Sequence, residues 1–244
     1  MLLPADPKAD YLAHAPAIQA AIDRVLASGH YVLGPEVAAF EEEFSAFQLG
    51  GHTVGVANGT EALELSLRAA GIGAGDRVAT VANTVTATVA AIQQIGAQPV
   101  FVEIDPATML MSPGALAGVV ERPGALVKAV VPVHLYGHPA DMPALLAITR
   151  RHGIRVIEDC AQAHGAAMAG GPAGTWGDLA AFSFYPTKNR GAIGDGGAVF
   201  TRDETLAARV RRLRQYGWST RYIADEPGRN SRLDELQAAI LRVK

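Results

Sequence analysis

The stretch Thr53-Val-Gly-Val-Ala57, running directly into Asn58-Gly-Thr-Glu-Ala-Leu63, decides the fold. A short β-branched run stops at an asparagine and a glycine, and an amphipathic stretch reaching Ala70 starts there, which reads as strand, tight turn, helix. The pattern repeats outward: Arg77-Val-Ala-Thr-Val81, a helix from Thr84 to Ile95, Pro99-Val-Phe-Val-Glu103, an apolar run from Leu126 to Val133, a helix from Asp141 to His152, and Ile154-Arg-Val-Ile-Glu158. Further strands are expected over Leu179 to Phe184 and Gly197 to Thr201. Strands alternating with helices predict an α/β fold, a mostly parallel sheet with helices on both faces. In such a sheet the strand-to-helix turns gather at the carboxyl edge, where their polar residues converge on one crevice.

The first fifty residues read differently. Two helices, Ala15 to Ala27 and Glu36 to Phe47, flank Ser28-Gly-His-Tyr-Val-Leu-Gly-Pro35 without a strand signal, and predict an N-terminal helical arm over residues 1–50. Residues 51–230 then form the α/β domain. Ser231 to Lys244 is expected to start a further helix, and because it reaches Lys244 without a stop signal, a longer protein is expected.

Composition narrows the function classes. A chain of 244 residues with 49% hydrophobic content can bury a sizeable core. Its formal net charge of -3 provides no basic stripe for nucleic acid. The densest basic run, Arg209 to Arg214, alternates with apolar residues and reads as a solvated helix face. Cys160 is the single cysteine, so no intrachain disulfide forms, and no apolar run reaches the ~18 residues of a membrane helix. A cytoplasmic setting without membrane or nucleic-acid partners is the expectation.

Three segments carry candidate chemistry. In Ser183-Phe-Tyr-Pro-Thr-Lys188-Asn-Arg-Gly191 one lysine stands on a mostly uncharged loop, a setting that favours the nucleophilic amine and makes Lys188 a candidate Schiff-base lysine. At the Asn58-Gly-Thr-Glu61 turn, free helix N–H groups, Gly59 and the Thr60 hydroxyl offer a phosphate seat, although an ordinary capped helix reads the same way. At the end of the Ile154 strand, Glu158-Asp-Cys-Ala-Gln-Ala-His-Gly165 places Asp159 to hold a protonated heteroaromatic nitrogen and Gln162 to donate to a neighbouring oxygen, with His164 bracing either. Cys160, His134, His138 and His164 show no metal-ligand spacing, and no metal is expected. A dinucleotide or P-loop glycine pattern is missing too. A lysine, a carboxylate, and hydroxyls at Thr60 and Ser183 near a helix end are the parts that hold pyridoxal 5′-phosphate.

These motifs, with Val133-His-Leu-Tyr-Gly-His-Pro-Ala-Asp141 and Asn230-Ser-Arg-Leu-Asp-Glu-Leu-Gln237, resemble the pyridoxal-phosphate-dependent nucleotide-sugar aminotransferases of the DegT type, which have the aspartate-aminotransferase-like fold (fold type I). The resemblance runs from about Gly34 to Lys244, and it implies that the helix begun in residues 231–244 leads to a C-terminal small domain. It implies that Lys188 binds the cofactor covalently, Asp159 pairs with its pyridine nitrogen, Gln162 meets its phenolic oxygen, and Gly59, Thr60 and Ser183 hold its phosphate. It implies further that Asn230 reaches the phosphate in a neighbouring subunit, hence a homodimer with shared sites, and that glutamate donates the amino group to a keto sugar on a nucleoside diphosphate. Val85 stands where the family usually stacks an aromatic on the ring, and Arg190 where an apolar residue is usual, so Arg190 meets either substrate phosphate or solvent. The resemblance leaves two alternatives: a relative that binds without turnover, and a sugar dehydratase. The dehydratase branch carries histidine in place of the lysine, and Lys188 favours transamination.

Overall fold

A computed structural model describes residues 5–244. Helices α1 (Pro7–Ser28) and α2 (Pro35–Phe47) precede β1 (His52–Val56), α3 (Gly59–Ala69), β2 (Arg77–Val81), α4 (Thr86–Gln94), β3 (Gln98–Val102), α5 (Pro113–Val120) and β4 (Val127–Val130). A short 3-10 turn, Leu135–Gly137, leads to α6 (Met142–Arg151) and β5 (Arg155–Asp159). There follow the small hairpin β6 (Ala167–Met168) and β7 (Gly171–Pro172), β8 (Leu179–Ser183), β9 (Gly197–Thr201), α7 (Glu204–Leu213), the hairpin β10 (Trp218–Thr220) and β11 (Ile223–Ala224), and α8 (Glu235–Val243).

Seven strands form one sheet in the order β1-β9-β8-β5-β4-β2-β3. Only β9 runs against its neighbours, pairing antiparallel with both β1 and β8, whereas the remaining pairs are parallel. The expected mostly parallel sheet is therefore present. Alternation along β8 shows how both faces are covered: Leu179 and Ala181 join one apolar cluster with Leu65, Leu67 and Val210, while Ala180 and Phe182 join another with Phe40, Phe44 and Leu241. A third cluster sets Leu116 of α5 and Leu145 of α6 against Val130 and Val156. Each face thus buries a continuous apolar layer, the main driving force for this architecture.

Helix boundaries depart most from the sequence reading in two places. Helix α1 starts at Pro7 instead of Ala15, with Pro16 inside it. Proline forfeits one helical hydrogen bond, but Ile18, Ala21 and Val25 are buried, the last two clustering with Ala239, and that packing carries the helix through. Helix α8 starts at Glu235 instead of Ser231, because the preceding residues are used in extended contacts: Asp234 bridges Val32, and the Ser231 hydroxyl accepts from the Ala57 N–H at 3.2 Å. Helix α5 and both hairpins have no counterpart among the elements read from sequence. The Arg209 to Arg214 run is also more than a solvated face. Arg214 is buried and bonds Glu41 Oε1 at 2.5 Å and the Gly55 carbonyl at 2.8 Å, while Arg209 pairs with Glu226.

Candidate active site

The carboxyl edge of the sheet gathers the ends of β1, β2, β5 and β8 and the start of β9. Three positions there are closed to any side chain. A Cβ on Gly59 would lie 2.6 Å from Ser183 Cβ, and one on Gly197 would lie 2.4 Å from the Asn58 carbonyl oxygen, so the turn into α3 presses directly on β8 and β9. A Cβ on Gly191 would meet the Pro186 carbonyl oxygen at 2.3 Å, closing the lysine loop on itself.

Gly59 and Thr60 open α3, so their N–H groups precede any carbonyl of the same helix and point outward at its positive end. Asn58 caps the helix, its Oδ1 accepting from the Glu61 N–H at 2.9 Å. Glu61 does not return the bond as a capping box would; its Oε2 is buried without a partner. Beside this end stands Ser183, buried at the last position of β8. The edge therefore sets the backbone donors at the start of α3 against the Ser183 hydroxyl, a donor set suited to a phosphate.

Asp159 is the last residue of β5 and is only 3% exposed. Its Oδ1 accepts from the Ala161 N–H at 3.1 Å and its Oδ2 from the Thr88 hydroxyl at 2.9 Å. Burial pushes its carboxyl above the usual range, opposed by those two bonds and by the charge of nearby Lys188. Gln162, three residues on, turns its Oε1 to the Tyr136 N–H at 2.8 Å, and Tyr136 holds a left-handed backbone, φ 56°, to make that bond. With its oxygen committed, Gln162 offers its Nε2 as the free group, a donor fit for an anionic oxygen.

Lys188 rides on a loop pinned at both ends, by Lys188 N–H to the Tyr185 carbonyl at 2.8 Å and by Ala192 N–H to the Phe184 carbonyl at 2.7 Å. It is partly exposed and borders a cavity of about 290 Å³ shared with Asp10, His14 and Arg190. Val85, just ahead of α4, is 58% exposed at the same sheet edge. Asn230 is exposed beyond α7 and bridged to Gln215, next to Ser231, whose hydroxyl meets the Ala57 N–H. A larger cavity of about 640 Å³ lies at the opposite, amino edge, lined by Arg77, Lys128 and His152, away from all of these residues.

Two residues are placed otherwise than their sequence setting suggests. His164 braces neither Asp159 nor Gln162; it lies between the rings of Phe182 and Phe184, 5.4 Å from each, with both nitrogens unpartnered. Burial, followed by the charges of Arg190 and Lys188, pushes it down to about 4, so it is neutral at neutral pH. Arg190 does not simply face solvent: its guanidinium lies 5.8 Å over the Phe47 ring and donates to the Leu241 carbonyl at 3.3 Å. Glu158, adjacent to Asp159, is wholly committed, accepting from the Gly174, Trp176 and Gly177 N–H groups and from His134 Nε2.

His134, Glu158 and Cys160 have ligand atoms within 4.8 Å of one another, yet this is not a metal set. Nδ1 of His134 accepts from the Ala140 N–H at 3.0 Å while Nε2 donates to Glu158, and burial pushes the Cys160 thiol up, keeping it protonated. Sequence reasoning overlooked Thr88. The pair Thr84 and Thr88, four apart at a helix start, is the signal that would have found it.

The model of the DegT/DnrJ/EryC1/StrS aminotransferase family matches residues 13–244. The chain belongs to that family. Among curated relatives in the DegT/DnrJ/EryC1/StrS family, the dTDP-3-amino-3,4,6-trideoxy-alpha-D-glucose transaminase of Micromonospora megalomicea subsp. nigra is 51% identical over 226 residues, covering 92% of this chain and 59% of the relative. The UDP-2-acetamido-2-deoxy-3-oxo-D-glucuronate aminotransferase of Pseudomonas aeruginosa is 44% identical, covering 93% of this chain and 62% of the relative. The crystal structure of S. venezuelae DesV in complex with a ketimine intermediate superposes with a TM-score of 0.93 at 48% identity, covering 98% of this chain and 63% of that one. The chain spans about three-fifths of the length of these DegT/DnrJ/EryC1/StrS relatives. No helix among the described residues is long and apolar enough to cross a membrane.

Proposed function

We propose that this chain carries the pyridoxal 5′-phosphate site of an aminotransferase that moves the amino group of glutamate onto a keto sugar linked to a nucleoside diphosphate, acting in the cytoplasm as a homodimer with shared sites. Residues 51–230 are the cofactor-binding unit. One observation carries the reading: a buried carboxylate, Asp159, ends β5 at the same sheet edge where Gly59 at the start of α3 packs against Ser183 and the Lys188 loop leaves β8.

The donor set fits the cofactor's two anionic ends. Gly59 and Thr60 N–H groups with the Thr60 and Ser183 hydroxyls match a phosphate, and Gln162 Nε2 matches a phenolic oxygen. When bound, pyridoxal 5′-phosphate supplies an electron-withdrawing ring that makes the proton on the amino-bearing carbon removable. Asp159 keeps a proton on the ring nitrogen by pairing with it as an anion. Lys188 supplies the primary amine that holds the cofactor and, once free, takes and returns the substrate proton at Nζ. Val85 would pack against the bound ring and help exclude water, and Asn230 would belong to the site of the second copy. Retention of Lys188 favours transamination over dehydration.

The relatives' names support the substrate class, since they are transaminases of dTDP- and UDP-linked sugars. The test is spectroscopic. Added pyridoxal 5′-phosphate should give visible absorbance that Lys188→Ala abolishes and that a single turnover with glutamate bleaches. A chain that stays colourless would overturn the cofactor reading, and bound cofactor indifferent to glutamate would overturn the aminotransferase reading.

A further inference from the structure

Three side chains run in a line behind the site. Thr84 Oγ1 and Thr88 Oγ1 are 2.9 Å apart, and Thr88 Oγ1 is 2.9 Å from Asp159 Oδ2. An ionised carboxylate only accepts, so Thr88 must spend its single hydrogen on Asp159. Thr88 can then only accept from Thr84, which makes Thr84 the donor and gives the chain one direction. Thr88 is 1% exposed, and the Ala161 N–H holds the other carboxylate oxygen, so water does not substitute for either contact. Thr88 also stands in the first turn of α4, where the positive end of the helix dipole favours an anion. Val85 caps that helix with no side-chain bond, leaving both hydroxyls free for this relay.

We propose that Thr88, backed by Thr84, is a positioning residue that holds Asp159 as an oriented anion, with its remaining lone pairs presented to the ring nitrogen. The inference rests on the cofactor reading above and adds to it the group that makes a fully buried carboxylate usable. Burial alone favours the neutral acid, which has a proton where the ring nitrogen's proton must be received. A directed hydroxyl donor offsets that preference and excludes the rotamer in which Oδ2 turns from the cleft.

The experiment compares two cofactors on the same chain: pyridoxal 5′-phosphate, and its isostere with carbon in place of the ring nitrogen. Thr88→Val keeps the shape and removes the donor. It should weaken pyridoxal 5′-phosphate about tenfold or more, the scale of a hydrogen bond to a charged group, while binding the isostere as the wild type does. Thr88→Ser should restore the affinity. Equal loss for both cofactors would show a merely structural threonine and overturn the proposal, as would unchanged affinity for pyridoxal 5′-phosphate. Thr84→Val leaves the Thr88–Asp159 bond in place and should weaken pyridoxal 5′-phosphate alone, by roughly two- to threefold; it decides the matter if Thr88→Val does not fold, and equal binding of the natural cofactor by this variant and wild type then overturns the relay. A wild-type chain that binds neither cofactor overturns the reading beneath.

Discussion

Glu158 and Asp159 are consecutive residues of one strand whose carboxylates serve opposite ends. The pleat sends Glu158 to the inner side, where three backbone N–H groups and His134 saturate it, and sends Asp159 to the carboxyl-edge site, where only Ala161 and Thr88 hold it. A buried carboxylate with four donors is a structural pin, whereas one with lone pairs to spare is open to a further partner.

Substitution should separate the two roles. Glu158→Gln turns an amide NH2 against existing donors and should cost about 2–3 kcal/mol of stability, read by thermal melting. Asp159→Asn should instead raise the melting temperature of the cofactor-free chain by a few degrees at pH 7, because it removes a charge that burial disfavours and the Thr88 hydroxyl, unlike the N–H groups around Glu158, can turn to accept from the new NH2. The sign follows from the raised carboxyl: the ionised group penalises the fold at neutral pH, and the penalty fades as pH falls toward the ordinary value of 3.8. The advantage of Asp159→Asn should shrink over that range; a destabilised variant at pH 7 would contradict this account.

Gly59→Ala places a methyl group 2.6 Å from Ser183 Cβ. Either α3 or β8 must shift, at about 1–3 kcal/mol, and the phosphate seat opens. Pyridoxal 5′-phosphate affinity should fall about tenfold or more, with a smaller change in melting temperature of the cofactor-free chain. Equal cofactor affinity for variant and wild type would remove Gly59 from the phosphate seat.

His164 ties part of the stability to pH. Its folded value of about 4 lies below the ordinary 6.5, so the unfolded chain takes up a proton first as pH falls. Stability present above about 6.5 is lost between there and about 4. His164→Phe, lodged between Phe182 and Phe184, should flatten this decline in denaturant titrations, and an unchanged slope would place the acid sensitivity elsewhere.

Glu235 caps a helix 201 residues away in sequence: its carboxylate accepts from the N–H groups of Gly34, Glu36 and Val37 at 2.8 to 2.9 Å. Gly34 is required there, since a Cβ would stand 2.9 Å from Glu235 Oε2. Glu235→Gln should lower stability by about 1–3 kcal/mol and loosen α2 first, seen as faster amide exchange at Glu36 and Val37. Full protection of those amides would show that α2 is held by its apolar face alone.

The alternation of β-branched runs and amphipathic stretches was legible because nearest neighbours set it: Thr53 to Val56 cannot be comfortable in a helix, and Gly59 to Ala69 carries its apolar residues at helical spacing. Asn58 as a cap and the lysine loop before Gly191 were legible for the same reason. What local order cannot carry is where saturated and unsaturated groups end up. His164 looked like a partner for Asp159 because it lies five residues away, but β8 supplies Phe182 and Phe184 to enclose it. Arg190 read equally as a phosphate ligand or a solvent-facing charge, and only the fold brought Phe47 of α2 and Leu241 of α8 against it. Thr88 acquired its role only when β5 was laid where Asp159 could reach α4. By itself the sequence determined the elements and the chemical types at their ends, since torsional preference and periodicity act over a few residues. Tertiary structure alone decided which buried polar group is spent on the fold and which is left for chemistry, because hydrogen-bond partners there come from strands and helices distant in the chain.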